Sequence, residues 1–430
     1  MYLDTVLPAT TSLRRPAPGG TSHRLGKPGL FTFGFCAPSA KTTVNEMLVY
    51  VGTYTELIRF GSGKILQGKG EGIYTYRMDQ SSGALELVSK ATGIANPSYL
   101  AIDSTRRFLY AVNELKTYEN QPSGTISAFA VDSMTGKLEF LNKKLTRGTD
   151  PCHVLVDNNR KYVFVANFMS GSVCVLPVLR DGSLGEASDF IQHQGSSVDP
   201  NRQRGPHAHS VTLDEANRFA FVPDLGLDKL MVYKFHPERG RLEPNEVPWI
   251  TMKPGAGPRH MAFHPSGKFA YLLNELDCTV AALSYDGVRG TFKELQIVPT
   301  LPGGFHGEST CGDVQVSPSG EFVYASNRGH DSIVIYKIDQ RTGELTHVGH
   351  ASTQGKTPRH FGIDPTGKFL LAANQDSDTI VAFHIDPQTG TLLPTGQVTQ
   401  VPTPVCVKFL PDFCAEGAKT KIQVLPKNGG

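Results

Sequence analysis

The sequence predicts an all-β protein, and more specifically a seven-bladed β-propeller with four-stranded antiparallel blades. Three observations lead to this prediction: a long internal repeat, short strand patterns within each repeat, and half repeats near the two ends of the chain. The 430 residues contain no helix-length stretch with a 3.6-residue apolar period. Together these features are typical of radial sheets arranged in a ring.

The repeat is clearest in the segment "GPRHMAFHPSGKFAYLLNE", which runs from Gly257 to Glu275. Similar segments recur roughly 50 residues apart, which is a period expected of propeller blades. The other copies begin at Pro97, Pro151, His209, Gly312 and Pro358. We therefore interpret each copy as part of one blade.

Each copy combines a short apolar strand, a tight polar turn and a second apolar strand that ends in a short polar residue. A third strand and a second turn follow, as in "IVIYKIDQRTGELTH". Four strands per unit are expected. Positive φ is expected at the glycine of this second turn, which is Gly83, Gly136, Gly343 or Gly390.

The half repeats predict how the ring closes. "LVYVGTY" begins at Leu48 and "PVCVKF" at Pro404. Pairing the C-terminal strand with the N-terminal strands completes one blade and removes two free sheet edges. We expect one propeller domain over residues 47–410, followed by a tail over 411–430.

Residues 1–46 differ in composition from the rest of the chain. They are rich in Pro, Gly, Ser and Thr, basic and poor in acids, so we expect a disordered extension. An organelle presequence has the same bias. A solvated tail and a true start at Met47 remain open as alternatives.

Composition limits the partners and the compartment. The formal net charge is +2, and no stretch approaches the length of a membrane helix, so neither nucleic acid nor membrane is an expected partner. The seven cysteines are scattered without a C-x-x-C pair, which favours a reducing compartment. We expect a cytoplasmic protein, monomeric or weakly self-associating, unless residues 1–46 direct it to an organelle.

The blade pattern also locates a candidate site. In a four-stranded meander, the connection between blades and the connection from second to third strand share one face. Arg259 and His260 begin a first strand and Glu275 follows a second strand, so we expect them at one mouth of the ring. By the same argument the mouth gathers His153, His207, His209, Arg328, Arg359 and His360.

Such a cluster predicts a small anionic ligand. Guanidinium and imidazole groups at one mouth repel one another unless an anion or carboxylates offset them, and Arg binds anions in forked geometry. Each residue alone has a simpler structural explanation: a His can bond a loop carbonyl, and an Arg can pair with a neighbouring carboxylate. The grouping favours a ligand site.

One glutamate among Arg and His suits hydrolysis of an activated carbonyl. The carboxylate takes a proton from water, and Arg or His stabilises the oxyanion. The sequence lacks a G-x-S-x-G elbow, a P-loop, a Rossmann fingerprint and H-E-x-x-H. Glu114, Glu275 and Asp313 could form an oxygen-rich cation site, but the surrounding positive charge argues against a metal. No cofactor is expected.

The motifs "GPRHMAFHPSGKFAYLLNE", "GPHAHS", "TPRHFGIDPTGKFLLAAN" and "VYVGTYT" resemble those of the seven-bladed propeller lactonases. This family includes bacterial-type 6-phosphogluconolactonases and the fungal 3-carboxymuconate lactonizing enzyme. The resemblance covers essentially all of residues 47–410. It implies hydrolysis of 6-phospho-D-glucono-1,5-lactone in the oxidative pentose phosphate pathway, without a required cofactor.

The resemblance also implies the site residues. His209 corresponds to the His of "GPHAHS", Arg259 to the Arg of "GPRH", Glu275 to the Glu of "NE" and Arg328 to the Arg of "SNR". We expect Glu275 to be the general base, with Arg259 and His209 polarising the carbonyl. Further substrate contacts are expected from His153, His207, His260, Arg328, Arg359 and His360, of which Arg328 or Arg359 would hold the phosphate.

Two other functions remain open at this stage. The same fold and residue types would suit a 3-carboxymuconate cycloisomerase, which adds or removes a proton beside a lactone. A non-enzymatic interaction platform is the other alternative, although it should show apolar patches at the mouth.

Overall fold

The computed structural model describes residues 46–410, which form seven four-stranded sheets and one two-stranded hairpin. The predictions for residues 1–45 and for the tail 411–430 lie outside the described residues. Within 46–410 the one helix is a single 3₁₀ turn, Gln375–Ser377, and no helix is long and apolar enough to cross a bilayer.

The strands are short and are numbered β1 to β30 in chain order. The first fifteen are Glu46–Thr53, Leu57–Arg59, Ile65–Gln67, Gly72–Asp79, Leu85–Thr92, Pro97–Ile102, Phe108–Asn113, Thr125–Val131, Leu138–Leu145, Pro151–Val156, Tyr162–Asn167, Ser172–Pro177, Asp189–Gln192, Thr212–Leu213 and Phe219–Asp224. The remaining fifteen are Lys229–His236, Arg241–Thr251, Pro258–Phe263, Phe269–Asn274, Thr279–Asp286, Thr291–Pro299, Thr310–Val316, Phe322–Arg328, Ser332–Ile338, Leu345–Ser352, Pro358–Ile363, Phe369–Asn374, Thr379–Ile385, Leu392–Gln400 and Pro404–Leu410.

The strand order confirms the predicted propeller and its closure. Six blades each use four consecutive strands, from β6–β9 through to β26–β29. The remaining blade has the order β30-β1-β4-β5, so the last strand pairs with the first, with Leu48 opposite Leu410. First strands of neighbouring blades contact one another, as β6 does with β10 and β30, and so surround a central channel.

The apolar core lies between adjacent blades. Phe221 of one blade packs edge-on against Phe292 of the next, with ring centroids 4.8 Å apart. Buried tyrosines reinforce these contacts, since Tyr50 Oη donates to the carbonyl of Gly136 in the next blade at 2.9 Å. Burying one phenylalanine side chain such as Phe221 stabilises the fold by about 1.5–3 kcal/mol. The blades therefore hold the channel in a fixed shape.

The outer turns form as the sequence predicts. Gly83, Gly136, Gly343 and Gly390 have φ values of 76°, 71°, 77° and 73°, where a side chain would be strained. Asp386 accepts hydrogen bonds from the main-chain N–H groups of Gln388 and Thr389 in the same kind of turn. These turns lie far from the channel.

Candidate active site

A cavity of about 350 Å³ opens at the end of the channel where the connections between blades meet. The residues that follow second strands and those that begin first strands both contribute to its wall. The structure thus brings together most of the residues selected from the sequence: His209, Arg259, Glu275, Arg328 and Arg359, together with Glu114.

A recurring β-bulge directs Arg259 into this cavity. Between β18 and β19, Pro258 pairs with Asn274 and the next pair is His260 with Leu273. Arg259 is therefore the extra residue of the bulge. A bulge re-aims a side chain, so Arg259 and His260 both reach the channel although they are consecutive. The same irregularity directs Arg359 into the cavity.

Glu275 is the centre of the site, 3% exposed and held by three guanidinium groups. Its Oε2 accepts a hydrogen bond from Arg259 Nη1 at 2.6 Å and lies 3.0 Å from Arg328 Nη2. Its Oε1 accepts from Arg202 Nη2 at 2.6 Å. The main-chain N–H of Glu275 donates to the carbonyl of Gly257 at 2.7 Å, which fixes the carboxylate beside the start of β18.

These contacts determine the charge of Glu275. Burial alone raises its pKa, but the charges of Arg328, Arg202 and Arg259 outweigh burial and hold the pKa well below its usual range. A carboxylate of such low pKa is a weak base. The expected role of Glu275 in taking a proton from water therefore requires a ligand that draws positive charge away from it.

His209 is a neutral support for Arg259. Its Nε2 contacts Arg259 Nη1, and a guanidinium always donates, so Nε2 is the acceptor and Nδ1 carries the proton. Burial and the charge of Arg259 both lower the pKa of His209 far below its usual value. Its Nδ1 faces Cys152 Sγ at 3.7 Å. The imidazole orients the guanidinium without adding charge.

Arg359 is held differently from the other guanidinium groups. It lies over the rings of Tyr54 and Phe60, with centroid distances of 5.5 Å and 5.1 Å. Phe60 follows the extra hairpin strand β2. Within residues 46–410 no side chain pairs with Arg359 by a salt bridge or hydrogen bond, so its N–H donors are free to bind a ligand.

Two buried carboxyl groups complete this wall. Tyr54 Oη donates to Glu114 Oε2 at 2.9 Å, and burial raises the pKa of Glu114 despite the charge of Arg359. Burial, and then the charge of Glu114, raise the pKa of Asp150 to about 7. Asp150 Oδ2 has no hydrogen-bond partner among the described residues. The charge of the cavity therefore changes near neutral pH.

The structure corrects the expectation that His153, His260 and His360 share this mouth with Glu275. None of them lines the first cavity. His153 and His260 line a second cavity further along the channel, and His360 borders the narrow gap between the two. The bulge explains the error, because it sets consecutive residues at successive depths.

His207 is also outside the wall of the first cavity. Its ring stacks on Phe168 at a centroid distance of 4.6 Å, and its Nδ1 faces the carbonyl oxygen of Phe168 at 3.0 Å. Phe168 itself lines the cavity. His207 therefore supports the wall without facing a ligand.

Sequence reasoning missed Arg202 and Asp150. Arg202 lies in the long connection between β13 and β14, where Gln203 Nε2 holds the loop by donating to Leu225 O and Asp228 Oδ1, each at 2.8 Å. This loop has no counterpart in the other blades, so comparing repeats could not place it. The one available signal was the position of Arg202 three residues before "GPHAHS", which begins at Gly205.

The carboxylates of this site do not form a metal-binding cluster with their described neighbours. Among residues 46–410 no group of three or more His, Cys, Asp and Glu side chains could hold a metal ion. That the reaction needs no metal or cofactor stays a prediction.

Comparison with known proteins defines the class. Residues 48–409 match the family model described as lactonase, 7-bladed beta-propeller. The chain therefore belongs to the seven-bladed β-propeller lactonase family, and it is a lactonase, a hydrolase that opens a cyclic ester with water.

Individual relatives are similar over nearly their whole length. The 6-phosphogluconolactonase of Bacillus subtilis is 39% identical over 367 residues, which cover 85% of this chain and 99% of the relative. The periplasmic gluconolactonase PpgL of Pseudomonas aeruginosa has a TM-score of 0.79 and 35% identity, covering 85% and 99%. A 6-phosphogluconolactonase candidate from Bacteroides fragilis has a TM-score of 0.78 and 37% identity, covering 86% and 99%.

Proposed function

We propose that the protein hydrolyses 6-phospho-D-glucono-1,5-lactone to 6-phosphogluconate, a step of the oxidative pentose phosphate pathway. The observation that carries this proposal is the cavity in which Glu275 contacts three guanidiniums while Arg359 keeps its donors free. The excess of positive charge suits a phosphorylated substrate. The Bacillus subtilis relative, named for the same substrate, supports the choice.

Arg359 binds the phosphate, and the groups around Glu275 bind the ester. The planar N–H donors of Arg359 match two phosphate oxygens, and the ring faces of Tyr54 and Phe60 hold the guanidinium in place. Arg259 and Arg328 donate to the carbonyl oxygen of the lactone. They stabilise the negative charge that develops there when water adds to the carbonyl carbon.

Glu275 becomes a stronger base when the substrate binds. When the carbonyl oxygen of the lactone accepts hydrogen bonds from Arg259 and Arg328, these guanidinium groups interact less strongly with Glu275. The pKa of Glu275 then rises toward its usual value. The carboxylate then takes a proton from the attacking water. The bond from the carbonyl carbon to the ring oxygen breaks, and the proton passes to that oxygen, which becomes a hydroxyl group.

The test compares freshly prepared 6-phosphogluconolactone with unphosphorylated δ-gluconolactone. We expect the purified protein to open the phosphorylated lactone faster than it opens spontaneously and to prefer it over the unphosphorylated one. Arg359→Met should remove this preference. Lys64→Met is the matched control, since Lys64 lies on the same cavity wall but pairs with Asp376 at 2.8 Å.

Two results would overturn the proposal. Equal rates on the two lactones would contradict recognition of the phosphate. No acceleration of either lactone, with turnover of 3-carboxymuconate in a parallel absorbance assay, would indicate the cycloisomerase reaction instead.

A further inference from the structure

A second cavity of about 290 Å³ lies in the channel on the side of the turns that join first and second strands. Pro365, in one such turn, and Gln315 contribute to its wall. Only a gap of about 10 Å³ lies between it and the first cavity. The hydrolysis proposed above uses none of its residues.

Lys408 brings a positive charge to this cavity. It lies on β30, the strand that closes the ring, and its Nζ is 4.4 Å from the ring centroid of Tyr99 and 3.3 Å from Tyr99 Oη. Burial lowers the pKa of Lys408, but Tyr99, Cys406 and Asp313 together raise it above its usual value. Within residues 46–410 no carboxylate forms a salt bridge with the ammonium group, although the charge of Asp313 acts on it from further away. His360 Nε2 lies 3.4 Å from Nζ.

The histidines present fixed donors and one unused acceptor. A main-chain N–H donates to Nδ1 of His153 at 3.3 Å, so the proton of this neutral ring is on Nε2. Asp313 Oδ1 accepts the Nδ1–H of His260 at 2.8 Å, which leaves His260 Nε2 as an acceptor. That atom has no partner among the described residues, although the His260 side chain is 5% exposed.

A buried acceptor without a partner costs free energy that a suitable ligand can recover. His260 Nε2 lacks a donor, whereas Lys408 Nζ has hydrogens beyond the one that it donates to Tyr99 Oη, and His153 Nε2–H is a further donor. The carboxylate of Asp313 carries a negative charge in the same wall and accepts from His260 and, at 3.0 Å, from Gln315 Nε2, so the wall favours an anion of low charge. The wall therefore fits a group that combines negative oxygens with one hydroxyl.

We propose that this second cavity binds a small oxyanion carrying a hydroxyl group, as hydrogen phosphate and dihydrogen phosphate do. The charged oxygens accept from Lys408 Nζ and His153 Nε2, and the hydroxyl donates to His260 Nε2. Sulfate has similar size and charge but no proton at neutral pH, so it cannot make the last bond. The proposal does not depend on which lactone the first cavity hydrolyses.

The test is calorimetric titration of the full chain with inorganic phosphate and with sulfate at pH 7. The Arg359→Met background removes the phosphate contact proposed for the first cavity. In this background we expect phosphate to bind at one site and more tightly than sulfate. Adding Lys408→Met should weaken phosphate binding roughly tenfold or more, since a charged hydrogen bond is lost.

A second variant tests the hydroxyl contact and guards against misfolding. His260→Asn keeps a donor toward Asp313 but removes the acceptor, so phosphate should lose its advantage over sulfate. Thermal unfolding shows whether each variant is folded; if Lys408→Met is not, His260→Asn decides. Phosphate binding unchanged in the folded variants, or equal binding of sulfate and phosphate by the Arg359→Met background, would overturn the proposal. Hydrolysis by Lys408→Met at the parent's rate would show that the two sites are separable.

Discussion

Arg259 Nη1 and Glu275 Oε2 lie 2.6 Å apart. This contact joins the start of β18 to the residue that follows β19. Arg202 and Arg328 share the same carboxylate. This arrangement sets one carboxylate against one buried and two partly buried guanidinium groups. The cluster around Glu275 therefore has an excess of positive charge, which favours an anionic ligand.

Replacing Glu275 should affect both turnover and stability. In Glu275→Gln three guanidiniums lose their shared counter-charge, so we expect turnover to fall at least a hundredfold and the free energy of unfolding to fall by about 3 kcal/mol. This revises the simplest expectation for a catalytic base, which is lost activity at unchanged stability. Denaturant unfolding of the variant beside the parent checks it. Unfolding identical to the parent's would contradict the shared-charge account.

Asp150 should make substrate affinity depend on pH. Its pKa of about 7 means that it is neutral below pH 6 and negative above pH 8, so KM for a phosphorylated lactone should rise across this range. Asp150→Asn should flatten the change. Glu308→Gln is the control, since Glu308 is an exposed carboxyl group on the same cavity wall. The same pH dependence in Asp150→Asn as in the parent would exclude Asp150 as its source.

The same ionisation predicts the direction of a stability change. The pKa of Asp150 is raised in the folded protein, so folding loses stability as pH rises from about 4 to about 7. Asp150→Asn should remove that part of the loss. The measurement is the unfolding midpoint at pH 5 and at pH 8, in the parent and in Asp150→Asn. If the midpoint changes between the two pH values by the same amount in both proteins, Asp150 is not the source of the change.

The aromatic support of Arg359 should act on binding more than on turnover. Phe60→Leu removes one of two rings beneath the guanidinium, and a cation–π contact contributes about 0.5–1 kcal/mol. We expect KM for the phosphorylated lactone to rise about two- to fivefold with kcat nearly unchanged. Steady-state kinetics on both lactones check this. A fall in kcat at unchanged KM would place Phe60 in the chemical step instead.

Metal removal should leave hydrolysis unchanged. Guanidinium groups occupy the place beside Glu275 that a cation would need, so positive charge is already supplied. Dialysis against a chelator followed by the lactone assay provides the measurement. Loss of activity that returns with a divalent cation would contradict the expectation of a metal-free reaction.

The sequence was sufficient for the fold because every blade repeats the same apolar strands and turn residues. It was also sufficient to bring Arg259 and Glu275 to one mouth, since the topology of a meander decides which connections meet. The sequence did not predict how far along the channel each side chain lies. His260 directly follows Arg259, yet only the bulge determines that the two side chains reach different cavities.

Two further features depended on packing that a repeat does not encode. Arg202 approaches Glu275 from a loop unique to one blade, and its contact is set by the folded path of that loop. Asp150 looks like an ordinary loop residue in sequence. Its raised pKa follows from burial and from the nearby charge of Glu114, neither of which is visible before the blades assemble.

A double-mutant cycle on Arg259 and Glu275 tests the central claim most directly. The measured quantity is kcat/KM for 6-phosphogluconolactone in the parent, Arg259→Met, Glu275→Gln and the double variant. If the two side chains act as one unit, each single variant should lose most of the activity and the double variant should lose little more. Multiplicative losses, or a single variant with parental activity, would contradict the account.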